Sequence, residues 1–283
     1  MSHDLYAVFG DPIAQSRSPW IHTRFAELLG HRIDYRAIHA RTEEFEQSLL
    51  DFREDGGVGA NITAPLKGLA ATLSSRLSEA AHRAQAVNCL SAESDGNWSG
   101  DNTDGRGLIA DLQRLNIATA DARILMIGAG GAARGVLGPI LASKPERLVL
   151  ANRTLSTAQH LAGHLINLGQ IEAIGLAQLA ECGQFDLIIH ASAAGLAGSG
   201  VQLSAQLAHT QSCAYDLSYG HAATPFLDAA SRAGIDPARA HDGLGMLVEQ
   251  AAESYQIWRG VRPPTEAVLA ELRAQLSDRL SDA

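Results

Sequence analysis

The sequence contains little cysteine, and its cysteines do not fall into any of the usual functional arrangements. The three of them, Cys89, Cys182 and Cys213, are scattered along 283 residues and form no CxxC pair. Isolated cysteines in odd number provide neither a disulfide framework nor a cysteine-based metal site. This pattern is typical of a reducing compartment and predicts a cytoplasmic location.

Long apolar runs and an excess of positive charge are missing as well. No apolar run approaches the roughly 18 residues that a membrane-spanning helix needs, and the N-terminus lacks the basic and apolar stretches of a secretory signal. Lys and Arg number 22 against 31 Asp and Glu, which gives a formal net charge of −9. Nucleic acids and anionic membranes attract basic surfaces. We therefore expect neither as a partner, whereas local arginines and lysines still allow a small anionic substrate.

The length and composition that remain are those of a globular protein with room for two domains. Hydrophobic residues make up 46% of the chain and charged residues 19%, which are ordinary fractions for a soluble protein. A chain of 283 residues can bury two substantial cores. Strand and helix patterns alternate through residues 123–240, which predicts a parallel sheet with crossover helices and an α/β fold.

A glycine-rich turn between a buried strand and a helix is the most informative stretch. Residues 123–127 form an apolar run without alternation, typical of a strand buried on both faces. After it, Gly128 permits a tight turn, Gly130 lets the backbone approach a pyrophosphate, and Ala133 allows close packing of helix on strand. The turn therefore predicts a dinucleotide site at the start of the helix. An ordinary surface turn is the alternative.

The end of the next predicted strand indicates which dinucleotide is bound. An NAD site usually has an acidic residue here, roughly 20 residues after the glycines. This chain has Asn152, Arg153 and Thr154 instead. Because an arginine fork suits a 2′-phosphate, these residues predict NADP. The alternative is a solvated arginine before a helix that Thr154 caps.

Two polar loops in the N-terminal half carry candidate binding groups. Ser16 and Ser18 follow the first predicted strand, and Ser18 is also predicted to cap a helix that begins at Pro19. Pro65 follows the third predicted strand and places Lys67 in the first turn of a helix. The helix dipole disfavours a cation there, which suits a general acid–base role. An ordinary surface lysine is the alternative.

Three further polar features need an explanation. Asn88 interrupts an apolar strand, and its amide must find partners if it is buried. Asp104 lies in a polar loop, residues 100–105, that has more polar groups than one helix cap needs, although a cap is the alternative. His160 and His164 stand four residues apart, but without a glutamate at position 161 or a third ligand nearby we expect no metal site.

Taken in order, these motifs resemble the shikimate/quinate dehydrogenase family across nearly the whole chain. The resemblance implies an α/β substrate-binding domain of residues 1–104 and 243–283. It also implies a Rossmann-type, doubly wound parallel-sheet domain of residues 105–242, with the C-terminal helices returning to the first domain. The matching motifs are Ser16-Arg17-Ser18-Pro19, Asn61-Ile62-Thr63 with Pro65 and Lys67, Ala86-Val87-Asn88, Gly100 to Gly105, Gly128 to Ala133, Asn152-Arg153-Thr154, and Asp242 to Val248 with Gln250.

The resemblance also implies an activity, namely the reversible NADPH-dependent reduction of 3-dehydroshikimate to shikimate in chorismate and aromatic amino acid biosynthesis. Lys67 would exchange the proton at the C3 oxygen, with Asp104 beside it. The substrate would be held by Ser16, Ser18, Asn61, Thr63, Lys67, Asn88, Asp104, Tyr219 and Gln250. NADP would be held by Gly128, Ala129, Gly130, Gly131, Ala132, Asn152, Arg153 and Thr154, with Leu217 and Gly243 at the nicotinamide end. We expect a monomer or a homodimer.

Several positions depart from the family's usual pattern. Residues 190–193 read His-Ala-Ser-Ala where Asn-Ala-Thr-Ser is usual, and residues 217–219 read Leu-Ser-Tyr where Met-Phe-Tyr is common. Thr157 stands where a second phosphate-binding arginine is frequent, which weakens the expected NADP preference. Quinate or a related polyol acid is the alternative substrate. A non-catalytic ligand sensor is the alternative of another class, but a sensor has no need to keep Lys67 and Asp104 together.

Overall fold

The structure is a computed structural model that describes residues 4–192 and 202–281. Its contacts divide the chain into two units, Met1–Gly107 with Val248–Ala283 and Leu108–Leu247. Each unit is an α/β structure built around its own six-stranded sheet. The α/β fold class with a Rossmann-type sheet, expected from the sequence, is confirmed.

The first unit contains a mixed sheet with the strand order β2-β1-β3-β5-β6-β4. Strand β1 runs parallel to β2 and β3, whereas β5 runs antiparallel to β3 and β6. The strands are β1 (Asp4–Gly10), β2 (Ile33–His39), β3 (Gly57–Ile62), β4 (Arg76–Leu77), β5 (Cys89–Ala92) and β6 (Trp98–Asp101). The helices that begin in this half of the chain are α1 (Ser18–Leu29), α2 (Phe45–Glu54), α3 (Lys67–Leu73), α4 (Glu79–Ala84) and α5 (Asp104–Arg114).

Aromatic side chains fill the core of the first unit. Phe9 on β1 packs edge-on against Phe45 and Phe52 of α2, with ring centroids 5.6 Å and 5.5 Å apart. All three side chains are buried. Because β1 lies between β2 and β3, this packing places α2 against the parallel strands of the sheet.

The second unit contains an all-parallel sheet with the strand order β12-β11-β10-β7-β8-β9. Numbered from its first strand, this is the 3-2-1-4-5-6 order of doubly wound dinucleotide-binding sheets. The elements are β7 (Arg123–Ile127), α6 (Gly131–Ala142), β8 (Arg147–Asn152), α7 (Leu155–His164), β9 (Glu172–Gly175), β10 (Leu187–His190), β11 (Cys213–Asp216), α8 (Thr224–Arg232) and β12 (Ala240–His241). Such sheets bind ligands outside the carboxyl ends of the strands where the order reverses. Here that point lies between β7 and β10.

The strands of the second unit are buried on both faces. On β7, Ile124 and Met126 belong to one apolar cluster, and Leu125 and Ile127 belong to the cluster on the opposite face. Alternate residues therefore serve alternate faces. This explains why the sequence shows a continuous apolar run without alternation.

The C-terminal helices α9 (Leu244–Arg259) and α10 (Thr265–Ser281) pack on the first unit, as the sequence predicted. Trp258 of α9 stacks on Tyr6 with ring centroids 4.8 Å apart, and its indole N–H donates to the Leu90 carbonyl at 2.9 Å. From α1, Arg24 binds both carboxylate oxygens of Glu271 on α10, at 2.8 Å and 2.9 Å.

Several local predictions were wrong. Helix α1 includes Ser18 as its first residue, so Ser18 is not its cap; instead the Ser16 hydroxyl accepts the Ser18 N–H at 3.3 Å. Asn88 lies just before β5 and does not interrupt it. Where an apolar run meets polar loop residues, sequence periodicity alone cannot fix the boundary.

The sequence also left three short strands unpredicted, namely β4, β9 and β12. Strand β9 has four residues and β12 has two, and both lie at the edges of the second sheet. Edge strands this short have too few residues for a periodic pattern, so their pairing with β8 and β11 is a property of the assembled sheet.

Residues 4–192 and 202–281 lack two features that would indicate a membrane or a metal ion as a partner. No helix there is both long enough and apolar enough to cross a membrane. Nor do His, Cys, Asp and Glu side chains of these residues gather in groups of three or more that could hold a metal ion. His160 and His164 lie side by side on α7 with ring centroids 4.4 Å apart.

Candidate active site

The carboxyl ends of β1 and β3 bring two of the predicted polar loops together. The Thr63 N–H donates to the Phe9 carbonyl at 2.9 Å, and the Asp11 N–H donates to the Ala64 carbonyl at 3.2 Å. The loop with Ser16 and buried Ser18 therefore starts beside the loop that leads to Lys67. Parallel pairing of the two strands puts both loops at the same edge of the sheet.

Lys67 and Asp104 form an ion pair in the first unit. Lys67 is the first residue of α3 and Asp104 is the first residue of α5. The Lys67 ammonium nitrogen Nζ lies 2.5 Å from Asp104 Oδ2, and the two side chains are 21% and 8% exposed. The pair is therefore largely desolvated, but the lysine still has access to solvent or to a ligand.

Asn88 connects this pair to the surrounding elements. Its Nδ2 atom donates to Asp104 Oδ1 at 2.8 Å and lies 3.3 Å from Gln250 Oε1 on α9. Its Oδ1 atom accepts the Thr103 N–H at 2.7 Å. Four of the predicted substrate residues, from α3, α5, α9 and the loop before β5, thus lie within one hydrogen-bonded cluster. The buried Asn88 amide has the partners that its burial requires.

Asn61 is engaged with the protein on every polar atom. Its Oδ1 atom accepts the Tyr35 hydroxyl at 2.8 Å. Its Nδ2 atom donates to the Asn88 carbonyl at 3.0 Å and to Ser254 Oγ at 2.9 Å. Both N–H groups of the amide are therefore committed. Asn61 ties β3 to α9 and to the loop that carries Asn88.

Asp101 and Arg106 support the cluster, and sequence analysis gave them no role. Asp101 Oδ2 accepts from Arg106 at 2.8 Å, Oδ1 accepts the Asn102 N–H at 2.7 Å, and Ser78 donates its hydroxyl to the same carboxylate. Burial alone raises the pKa of Asp101, but the hydrogen bonds from Arg106 and Ser78 outweigh it, so its pKa is lowered. The ionised carboxylate therefore holds the loop that ends at Asp104. The dense polar motif of residues 100–105 was the available signal.

The glycine turn in the second unit has the geometry that a pyrophosphate needs. Gly128 has a φ of +112°, and a Cβ there would lie 2.8 Å from the Ala191 carbonyl carbon, so only glycine fits. A Cβ on Gly130 or Gly131 would meet no atom within 4 Å among the described residues. These two residues lie at the start of α6 and face open space. The start of a helix beside open space suits an anionic group.

The predicted residues after β8 have two different roles. Asn152 accepts the Ala129 N–H at 3.3 Å and donates to the Thr154 carbonyl at 2.9 Å, which ties β8 to the glycine turn. Thr154 is the residue before α7, but its side chain makes no capping hydrogen bond within the described chain. Arg153 is exposed, and no described residue forms a hydrogen bond or ion pair with its guanidinium. Arg153 is thus available to an anionic ligand.

A cavity of about 730 Å³ opens beside this turn. That volume lies within the usual range of small-molecule and cofactor sites. Its wall combines polar side chains, among them Asn152, Arg153 and Ser192, with several leucines. Its lining residues are Ile127, Gly128, Asn152, Arg153, Thr154, Leu176, Ala177, Leu179, Ala180, Ser192, Gln202, Leu203, Ser204 and Leu207. No sequence pattern indicated the leucines of this cavity, because they come from segments without a motif.

The residues predicted for the nicotinamide end also lie in the second unit. Gly243 donates its N–H to the Ser218 carbonyl at 2.8 Å, and a Cβ on Gly243 would lie 2.4 Å from the Leu217 carbonyl oxygen. Tyr219 follows directly and is partly buried. Tyr219 is therefore the one predicted substrate residue in this unit, since Ser16, Ser18, Asn61, Thr63, Lys67, Asn88, Asp104 and Gln250 belong to the first.

The fold and these residues define a class of protein. A doubly wound sheet with an open glycine turn, an available arginine and a separate unit with a Lys–Asp pair is the architecture of a two-domain, dinucleotide-dependent oxidoreductase. Family models described as the shikimate dehydrogenase substrate binding domain, shikimate / quinate 5-dehydrogenase and the shikimate 5'-dehydrogenase C-terminal domain match residues 8–90, 111–206 and 243–273. The chain belongs to the shikimate dehydrogenase family.

Individual relatives resemble the chain over its full length. The shikimate dehydrogenase (NADP(+)) of Verminephrobacter eiseniae is 49% identical, and the alignment covers 99% of this chain and 98% of that protein. A solved Ael1 enzyme from Pseudomonas putida is 41% identical with a TM-score of 0.87, covering 95% and 98% of the two chains. Shikimate 5-dehydrogenase from Thermus thermophilus, solved with NADP(H) and shikimate, is 30% identical with a TM-score of 0.84, covering 96% and 99%.

Proposed function

We propose that this protein catalyses the reversible, NADP-linked interconversion of 3-dehydroshikimate and shikimate. Membership of the shikimate dehydrogenase family supports the substrate and the cofactor. The observation that carries the proposal is the contact between Lys67 Nζ and Asp104 Oδ2 at 2.5 Å, which provides a positioned proton donor. Asn88 fixes the other oxygen of Asp104 at 2.8 Å. The protein's own side chains therefore hold the Lys67–Asp104 pair in place.

The chemistry divides between the cofactor and the protein. The bound cofactor would supply the hydride to C3 of the ring as NADPH and accept it in the reverse direction as NADP⁺. As the carbonyl oxygen gains charge, Lys67 donates a proton to it from its ammonium group. That group has three N–H bonds, and Asp104 holds one of them. The other two remain for the substrate oxygen and a second partner. In the reverse direction Lys67 takes up the proton, and the Asp104 carboxylate stabilises the ammonium that results.

Polar side chains hold the rest of the substrate in this proposal. We assign direct contacts to residues that have hydroxyl, amide or charged groups at the edge of the first sheet or after β11. We assign Asn61 and Asn88 to holding the shape of the site, because their N–H groups already donate to protein acceptors. The residues with direct contacts are Ser16, Ser18, Thr63, Lys67, Asp104, Tyr219 and Gln250.

The residues of the second unit fit NADP. The open space beside Gly130 and Gly131 at the start of α6 receives the pyrophosphate. Arg153 binds the 2′-phosphate, since no described residue competes for its guanidinium. Leu217 and Gly243 line the nicotinamide end. We place the enzyme in the cytoplasm, because its three cysteines are free and buried.

A comparison of substrates and cofactors tests the proposal. Initial rates are measured with shikimate and with quinate, each with NADP and with NAD, and the four kcat/KM values are compared. We expect the pair of shikimate and NADP to give the highest value and NAD to give a lower, measurable one. Dominant turnover of quinate would overturn the substrate assignment. Tight binding of shikimate without cofactor reduction at any pH would show a ligand sensor instead.

A further inference from the structure

A chain of three hydrogen-bonded side chains lies at the carboxyl ends of β10 and β11. Asp216 Oδ2 lies 2.9 Å from His190 Nδ1, and His190 Nε2 lies 2.6 Å from Ser192 Oγ. His190 and Asp216 are 2% and 0% exposed. Phe226 of α8 stacks on the imidazole, with ring centroids 4.9 Å apart and planes 15° apart. The imidazole is therefore fixed in both position and plane.

The buried carboxylate sets the direction of these hydrogen bonds. An ionised carboxylate only accepts, so Nδ1 carries the single N–H of the neutral His190 imidazole and donates it to Asp216. His190 Nε2 is then an acceptor, and the Ser192 hydroxyl donates to it. A hydroxyl has one proton. The Ser192 oxygen thus has only lone pairs to offer to any ligand.

Ser192 belongs to the wall of the dinucleotide cavity. It lines that cavity together with Gly128, Asn152 and Arg153. A Cβ built on Gly128 would lie 2.9 Å from the Ser192 backbone nitrogen, so the serine backbone lies directly against the glycine turn. Arg153 in this wall and the backbone N–H groups at the start of α6 are donors that suit phosphate oxygens. An acceptor among them suits a different part of the ligand.

We propose that His190 and Asp216 are positioning residues that make Ser192 a hydrogen-bond acceptor within the dinucleotide cavity. As an acceptor, Ser192 binds a hydroxyl group of the dinucleotide, the class to which a ribose hydroxyl belongs, and not a phosphate oxygen. This inference rests on the proposed NADP-dependent function. It assigns a shared task to three residues from two strand ends, at a position where the sequence departs from the family's usual Asn-Ala-Thr-Ser.

Asp216 has a second partner, which decides the choice of variants. Its Oδ1 atom accepts the Ser218 N–H at 2.8 Å and so holds the turn after β11. A change at Asp216 therefore disturbs that turn as well as His190. His190→Asn is cleaner, because its shorter amide can still donate to Asp216 but cannot reach Ser192. Ser192→Ala removes the acceptor itself.

The test combines cofactor binding with direct detection of the histidine tautomer. The Kd for NADP is measured by calorimetry for the full-length protein, Ser192→Ala, His190→Asn and the double variant. We expect Ser192→Ala to weaken binding about three- to tenfold, as the loss of one hydrogen bond does. His190→Asn should weaken it by a similar or smaller factor, and the double variant should bind no more weakly than Ser192→Ala. Nitrogen-15 NMR of the unaltered protein should show His190 protonated at Nδ1.

Several results would overturn the inference. They are unchanged NADP affinity in a folded Ser192→Ala protein, additive losses in the double variant, or a proton on Nε2 of His190. Covalent labelling of Ser192 by a fluorophosphonate would also overturn the inference, because it would show that Ser192 is a nucleophile. Serine, histidine and aspartate activate the nucleophile of serine hydrolases in the same order of hydrogen bonds. If His190→Asn does not fold, the inference is still tested by the NADP affinity of Ser192→Ala and by the His190 tautomer that NMR detects. Failure of the unaltered protein to bind NADP would refute the proposed function instead, which keeps the two failures distinguishable.

Discussion

The polar centres of the two units differ in what their side chains already bind. In the first unit Lys67, Asp104 and Asn88 are hydrogen-bonded to one another at 2.5 Å and 2.8 Å. In the second unit Arg153 has no partner among the described residues, and a Cβ built on Gly130 meets no atom of those residues within 4 Å. In the first centre, the polar side chains bind one another. In the second centre, the hydrogen-bond donors and the space beside them suit a ligand.

Because of this difference, we expect substitutions in one centre to change kcat and substitutions in the other to change the affinity for NADP. Groups that are oriented before the reaction need no reorganisation when charge develops, so they contribute mainly to kcat. A solvated arginine and an open turn gain their interactions when the cofactor binds, so they contribute mainly to cofactor affinity. Changes in the first centre should therefore lower kcat, and changes in the second should raise the Kd and KM of NADP.

The largest effect is expected from Lys67. Lys67→Ala removes the proton donor and should lower kcat by about 10²–10⁴ while leaving NADP affinity unchanged. Substrate KM should change much less, because Ser16, Ser18 and Gln250 remain. Steady-state kinetics and calorimetric binding of NADP measure the two effects separately.

Lys67→Arg is the matched control. It keeps a cation beside Asp104 but cannot release a proton, since an arginine guanidinium is not deprotonated in proteins. It should therefore be folded and nearly inactive. If Lys67→Ala instead kept its kcat and only raised the substrate KM, Lys67 would be a binding residue and the contrast between the two centres would fail.

Arg153 should show the opposite pattern. Arg153→Ala removes a charge-assisted contact to the 2′-phosphate, which is worth roughly 1.5–3 kcal/mol, and should raise the KM for NADP about ten- to a hundredfold. The KM for NAD should change little, because NAD has no 2′-phosphate, and kcat should persist. Equal losses for both cofactors would contradict the assignment of Arg153 to the phosphate.

Two glycines of the turn separate folding from cofactor binding. Gly130→Ala adds a methyl group in open space at a φ of −86°, so it should fold normally but obstruct the pyrophosphate. Overpacking of this kind costs about 1–3 kcal/mol, or roughly five- to a hundredfold in NADP affinity.

Gly128→Ala is the contrasting variant, because a Cβ there collides with backbone at 2.8 Å and the φ of +112° is strained. It should lower the melting temperature even without cofactor. Melting curves with and without NADP distinguish the two variants. A destabilised Gly130→Ala protein, or unchanged NADP binding by it, would refute an open pyrophosphate position.

The sequence predicted the α/β class and the glycine turn, since these depend on periodicity and on local turn chemistry, whereas the return of the C-terminal helices was implied by the family resemblance. It could not predict which polar groups touch. His190 and Asp216 are 26 residues apart and meet only because β10 and β11 are neighbours in the sheet. Ser18 fits an N-cap by residue type, but the helix begins one residue earlier than expected, and Ser16 accepts the N–H instead.

The two units also differ in how they hold a buried histidine, and this difference affects the stability of the protein. His190 in the second unit has partners on both ring nitrogens, whereas neither ring nitrogen of His22 has a hydrogen-bond partner among the described residues. His22 stacks on Tyr35 with centroids 4.4 Å apart. The Asn61 amide lies close by, but it donates elsewhere. Burial therefore lowers the pKa of His22 from 6.5 to about 3.

This lowered pKa makes the folded state sensitive to acid. Below an ordinary pKa of 6.5 the unfolded chain takes up a proton at His22, whereas the folded protein does so only near pH 3. Between these values the unfolded state binds more protons, so the free energy of unfolding falls as the pH falls, by up to about 1.4 kcal/mol per pH unit.

His22→Phe keeps the aromatic stacking without the titrating group. The difference in unfolding free energy between this variant and the unaltered protein, from urea titrations, should grow by roughly 2 kcal/mol from about pH 7 to about pH 5 in favour of the variant. An equal acid dependence in both proteins would mean that His22 is protonated in the fold, with a partner that the apolar stack does not provide.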